Sequence, residues 1–149
     1  MPVKNFYNFR TFTESIDTAG LLSEEQLSGL SADGYAAVVN LLPQESEYAI
    51  AGEREIIESQ EIEYHYRPVD IAAPTEADFA WFESTLKQLP SGNTLIHCAA
   101  NFRVSAFSSL YAHRNLGWSA DQVEAFIADV WDLSEHPVWK RFVVERLKR

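Results

Sequence analysis

The chain has 149 residues, 46% hydrophobic and 13% aromatic, enough for one substantial core and too few for two ordinary domains, so residues 1–149 are expected to form a single domain. A formal net charge of −10 argues against a nucleic-acid backbone or an anionic membrane as a general partner. The single cysteine permits no intramolecular disulfide, the first seven residues lack the apolar core of a signal peptide, and no run approaches the roughly 18 apolar residues of a membrane span, so a cytoplasmic protein is expected.

Residues 6–18 mix aromatics and Thr with period-2 character and predict a strand or short hairpin. Ser23-Glu24-Glu25-Gln26 is a capping box, opening a helix expected to stop near Gly34. Ala36 to Leu42 is a short apolar run closed by Pro43, the pattern of a strand buried on both faces. Residues 50–60 carry Ile50, Arg54, Ile57 and Glu58 at helical spacing, and residues 61–69 alternate through Ile62, Tyr64 and Tyr66 as a strand. Thr75-Glu76-Ala77-Asp78 caps a helix with Phe79, Phe82 and Leu86 inward, ending before Pro90-Ser91-Gly92. Thr94 to His97 is a strand that delivers Cys98. Helices are then predicted from about Val104 to Asn115, from Ser119 to about Val130, and from Pro137 to Lys148.

Strands alternating with helices predict an α/β fold of three layers, with a central, mainly parallel sheet of four to five strands flanked by helices. Ligands of such sheets bind outside the carboxyl ends of the strands. Cys98 stands at one such end, and Asp70 just past another.

The stretch His97-Cys98-Ala99-Ala100-Asn101-Phe102-Arg103-Val104-Ser105 carries the candidate chemistry. A strand that ends in Cys and turns tightly into a helix aims backbone N–H groups of residues 99–104 at one spot, which favours an anion and equally a thiolate nucleophile. Arg103 adds a planar, permanently charged fork suited to phosphate or sulfate oxygens. His97 is expected to orient the loop, lower the thiolate pKa or fill the core beneath it. Phe102 is expected either to bound the substrate pocket or to pack on a neighbouring element.

Arg67 reads as a surface salt bridge or a second anion contact, and Asp78 as a helix cap. Glu24, Glu25 and the acids from Glu53 to Glu63 read as solvated faces. His65, His113 and His136 have no ligand spacing, so no metal site is expected, and no cofactor. Trp118, Trp131 and Trp139 read as core or interface anchors, and exposed aromatics near the C-terminus would suit a homodimer.

These blocks, together with Thr18-Ala19-Gly20, Val38-Val39-Asn40-Leu41, Arg67-Pro68-Val69-Asp70, Ala73-Pro74-Thr75, Trp131 and Pro137-Val138-Trp139, fall in an order that resembles the protein-tyrosine-phosphatase-like superfamily. Within it the chain is similar to the small bacterial phosphatase-like domains related to that of beta-lactamase-hydrolase-like proteins. The resemblance implies a cysteine-phosphatase fold and hydrolysis of a phosphate monoester: Cys98 attacks phosphorus, the loop amides and Arg103 hold the equatorial oxygens, and Asp70 protonates the leaving alkoxide. It implies a phosphorylated small molecule or phosphoprotein as substrate, with inorganic phosphate or sulfate able to occupy the loop.

One departure matters. The common phosphatase loop has five residues between Cys and Arg and a hydroxyl residue directly after; here the spacing is C-x4-R. Either the loop is one residue shorter, Arg103 keeps its place and Val104 replaces the hydroxyl residue, or Ser105 keeps the hydroxyl position and Arg103 is displaced by one residue. The usual loop glycine is absent, although Asn101 tolerates positive φ. Small rhodaneses often carry C-x4-R loops, so a sulfurtransferase working through a Cys98 persulfide is one alternative. A module that binds phosphate without turning it over is another.

Overall fold

The computed structural model describes residues 5–148. In chain order it contains β1 (Arg10–Thr11), β2 (Ile16–Ala19), α1 (Glu24–Ser28), β3 (Tyr35–Asn40), α2 (Glu53–Glu58), β4 (Glu63–Tyr66), α3 (Glu76–Lys87), β5 (Asn93–His97), α4 (Phe102–Asn115), α5 (Ala120–Ala128), a 3-10 turn (Leu133–Glu135) and α6 (Pro137–Leu147). The five strands form one sheet in the order β1-β2-β5-β3-β4, parallel except for the β1–β2 hairpin.

Successive residues of a strand point to opposite faces, and the two inner strands show it directly. Val39 and Ile96 face a core filled by Phe79 and Phe82 of α3, Phe107 and Leu110 of α4, Ile127 of α5 and Trp139 of α6. Val38 and Leu95 face the other core, with Leu27 of α1 and Ile57 of α2. The sheet is therefore covered on both sides, and the three-layer α/β expectation holds.

Most differences from the expected boundaries have local causes. The first helix stops at Ser28 because the Gly29 amide turns back onto the carbonyls of Gln26 and Leu27. β3 stops at Asn40, whose own Oδ1 accepts the Leu42 amide. Gly52 adopts φ 75°, so the helix expected from Ile50 begins at Glu53. β4 ends at Tyr66, before Arg67-Pro68, since Pro68 has no N–H for a ladder. The 3-10 turn had no sequence expectation; Asp132 nucleates it by accepting from the Ser134 amide.

The aromatics near the C-terminus are core residues: Trp131, Trp139 and Phe142 are all buried. Among the described residues the large exposed hydrophobics there are Val138 and Val144, so the aromatics read as exposed near the C-terminus are buried instead. Among the described residues no helix is long and apolar enough to cross a membrane, and no group of three or more His, Cys, Asp or Glu could hold a metal ion.

Candidate active site

β5 is paired on both sides, by β2 and β3, so the chain leaves it at the centre of the sheet's carboxyl edge. Cys98 follows at once and is fully buried. The turn into α4 is made by Asn101 at φ 66° and ψ 10°, the left-handed conformation that a loop glycine would otherwise supply. Its Nδ2 donates to the Asn8 carbonyl and to Thr18 Oγ1, each at 3.0 Å. Asn8, itself at φ 55°, returns a 2.9 Å bond from Nδ2 to the Ala100 carbonyl. The Leu21 amide donates to the Ala99 carbonyl at 2.8 Å. Gly20 lies so close that a Cβ there would stand 2.7 Å from that carbonyl oxygen and 2.8 Å from the Tyr7 ring. The β1–β2 side thus clamps the loop's carbonyls and leaves its amides on the opposite side of the peptides.

In α4 the Ser105 amide bonds back to the Asn101 carbonyl at 2.9 Å. Amides ahead of it in the first turn have no intrahelical acceptor, and the positive end of the helix dipole adds to them. Arg103, one residue into α4, is only 7% exposed. Its Nε donates to the Val69 carbonyl at 2.8 Å, which fixes the guanidinium plane and leaves its outer nitrogens for an anion. Arg103 and Asp70 line one cavity of about 550 Å³ with Glu45, Ser46 and Ile71. Asp70 is exposed, and its Oδ1 accepts from the Ala72 amide at 2.8 Å. The neighbouring Ile71 carbonyl accepts Trp139 Nε1 at 2.7 Å, tying the Asp70 turn to α6. On the other flank of the loop, Ala99 and Ala100 line a cavity of about 330 Å³ with Tyr7, Leu21 and Tyr48. Cys98 itself lines neither.

Other candidates are accounted for by structural partners. Phe102 stacks on Trp131 with ring centroids 4.3 Å apart and planes at 11°, so it packs on a neighbouring element. Val104 is buried in the core, and Ser105 Oγ donates to the Phe102 carbonyl at 3.1 Å, within its own helix. Arg67 Nε meets Asp78 Oδ1 at 2.9 Å, while Asp78 Oδ2 accepts the Thr75 amide; the pair serves the start of α3.

Beneath the loop lies a buried polar chain. His97 Nε2 is 2.7 Å from Glu53 Oε2, and its Nδ1 is 3.4 Å from the Cys98 carbonyl oxygen. Tyr64 donates to the same Glu53 oxygen at 3.2 Å and accepts from Asn40 Nδ2 at 3.0 Å. This corrects the reading of Glu53 as part of a solvated acidic face: it is 8% exposed and turned inward. Burial pulls the His97 pKa down, but the Glu53 charge and hydrogen bond, with the Cys98 carbonyl, outweigh it and the net shift is upward. Burial, then the Glu53 charge, pushes Tyr64 up, keeping it a donor. No local pattern marks Glu53; the only hint is that a buried His97 must find an acceptor somewhere. Asn8 and Thr18 were missed for the same reason, being joined to Asn101 only by the fold.

No family model and no curated protein matches the chain. Solved structures do. Two structures of a "putative phosphatase (DUF442)" from Shewanella putrefaciens CN-32 align at 26% and 28% identity with TM-scores of 0.85 and 0.84, covering 95% of this chain and 89% and 92% of theirs. TpbA of P. aeruginosa, in complex with phosphotyrosine, aligns at 14% identity over 96% of this chain and 86% of its own, TM-score 0.75. A kinase associated phosphatase whose catalytic-site cysteine is replaced by serine aligns at 15% identity over 89% and 87%, TM-score 0.71. The fold is that of protein-tyrosine-phosphatase-like structures, and the neighbours named here are described as phosphatases or putative phosphatases.

Proposed function

We propose that this protein hydrolyses phosphate monoesters through a cysteinyl-phosphate on Cys98. The observation that carries the reading is the meeting of Asp70 and Arg103 on one cavity, with Arg103 in the first turn of the helix that follows the Cys98 loop. The substrate's phosphoryl group sits on the loop amides and the outer nitrogens of Arg103. The Cys98 thiolate attacks phosphorus in line, the S–P bond forms as the ester P–O bond breaks, and the leaving alkoxide takes the proton of Asp70. Oδ1 of Asp70 is held by the Ala72 amide, so Oδ2 carries that proton. Water then attacks phosphorus and gives a proton back to the Asp70 carboxylate as the S–P bond breaks, returning the thiolate and releasing phosphate. Charge builds on oxygens in the transition state, and a rigid set of N–H dipoles plus a fixed guanidinium stabilises it without reorganisation.

The clamped Arg103 supports the alignment in which the loop is one residue shorter and Arg103 keeps its role, since Ser105 is engaged within α4. The test is p-nitrophenyl phosphate turnover. Wild type turns over, Cys98→Ser loses all activity, Arg103→Ala loses a factor of about 10²–10³, as for removal of one oxyanion donor, and Asp70→Asn loses the fall of kcat on the alkaline side, which raises the pH optimum, because a general acid must be protonated to act. A persulfide mass shift on Cys98 with thiosulfate, in place of phosphatase turnover, would instead identify a sulfurtransferase.

One observation favours a second reading: Cys98 is completely buried and faces neither flanking cavity. A loop that binds phosphate or vanadate tightly yet turns over no aryl phosphate would identify a phosphate-binding module.

A further inference from the structure

The proposed chemistry does not use the buried chain of His97, Glu53, Tyr64 and Asn40, although it ends on the Cys98 carbonyl. Both ring nitrogens of His97 face acceptors: a carboxylate oxygen at 2.7 Å and a carbonyl oxygen at 3.4 Å. A neutral imidazole carries one N–H and one lone pair, so one of its nitrogens would face an acceptor with nothing to give. Only the imidazolium satisfies both contacts. A lone buried imidazolium is costly, and the carboxylate beside it is Glu53, brought in by the first turn of α2 from 44 residues away. Glu53 is in turn held by the Tyr64 hydroxyl from β4.

We propose that Glu53 is a positioning residue for Cys98, holding His97 as the doubly hydrogen-bonded cation that fixes the Cys98 peptide through its carbonyl. This rests on the reading of Cys98 as the nucleophile. The groups around it are few. Tyr64 from β4 is a neutral donor, Tyr66 of the same strand also feels the Glu53 charge, Arg54 lies over the Tyr64 ring at 5.0 Å and pairs with Glu58, and Arg103 from α4 supplies the other positive charge at the loop.

Cys98 is the only thiol, so its ionisation can be followed without any substrate, by ultraviolet thiolate absorbance against pH with Cys98→Ser as blank. Glu53→Gln keeps a hydrogen bond, since the amide N–H₂ can donate to a neutral ring, and removes the charge. The expected result is a thiolate titration moved to higher pH by about one unit or more, a tenfold loss of thiolate at fixed acid pH. Tyr64→Phe moves it less and in the same direction. A folded Glu53→Gln variant with an unchanged titration overturns the proposal. Should that variant fail to fold, nitrogen NMR of the wild-type imidazoles decides, with His97 assigned through His97→Gln. Two protonated ring nitrogens on His97 at neutral pH support the proposal, and a single one overturns it. A wild type whose titration responds to Glu53→Gln but which turns over no aryl phosphate sinks the phosphatase reading and leaves this one standing.

Discussion

Asn101 does two jobs that separate cleanly. Its left-handed backbone costs an ordinary L-residue about 1–2 kcal/mol, and its side chain makes two 3.0 Å bonds to the β1–β2 side, each contributing about 1 kcal/mol. Asn101→Gly should lose only the bonds, while Asn101→Ala should lose both, so urea denaturation should rank wild type above Gly above Ala, and turnover should follow. Gly20 offers a second probe. A methyl there collides with the Ala99 carbonyl, and relieving such overpacking costs about 1–3 kcal/mol. Gly20→Ala should therefore lower stability by that amount and weaken phosphate binding, measured by calorimetry, because the carbonyl that must move belongs to the loop. The sequence exposed Asn101 as a residue able to take positive φ and marked Thr18-Ala19-Gly20 by resemblance, but not that Asn8, Thr18 and Gly20 support the loop, since they act across more than 75 residues of chain.

At the scale of elements, α6 and the turn before it reach the site without entering it. Trp131 stacks on Phe102, and Trp139 donates to the carbonyl beside Asp70. Trp139→Phe keeps most of the packing and removes that one bond, so it should cost about 1 kcal/mol in stability while reducing kcat through a looser Asp70 turn; an unchanged kcat would show that the turn holds itself. Trp131→Ala should cost about 3–5 kcal/mol by cavity formation, read as a shift in the urea midpoint. The element pattern was legible to a high degree. The capping boxes at Ser23, Thr75 and Ser119 all form, because caps and amphipathic spacing act within a few residues. Ends set by tertiary bonds, such as the Leu41 amide on the His97 carbonyl, were not legible, and neither was the inward turn of Glu53, which looks like any other acid at the start of a helix.

Across the whole molecule, charge and pH set two further expectations. A net charge of −10 repels an anionic substrate over the Debye length, about 30 Å at 0.01 M salt and about 8 Å at 0.15 M. Phosphatase kcat/KM should accordingly rise as salt is raised through that range, with kcat little changed. The upward shift of His97 in the folded state gives stability that is fully present below its ordinary value near 6.5 and is lost as pH rises through the higher folded value. The urea midpoint of wild type should thus gain on a Glu53→Gln variant as pH falls from above the folded value towards 6.5, and that gain should vanish as pH climbs. The three-layer architecture itself could be inferred from alternating strands and helices, but the strand order could not: period and composition do not say which strand sits in the middle.

That order carries a consequence for how the molecule is made. β5, the strand that delivers Cys98, is the last strand in the chain and lies between β2 and β3. As the chain emerges, the β1–β2 and β3–β4 ribbons have no common neighbour until β5 arrives to join them. Closure of the sheet and assembly of the anion cradle are therefore one event. A growing or half-folded chain holds a thiol without its dipoles, its guanidinium or its histidine, and the proposed reactive centre comes into being only with a finished fold.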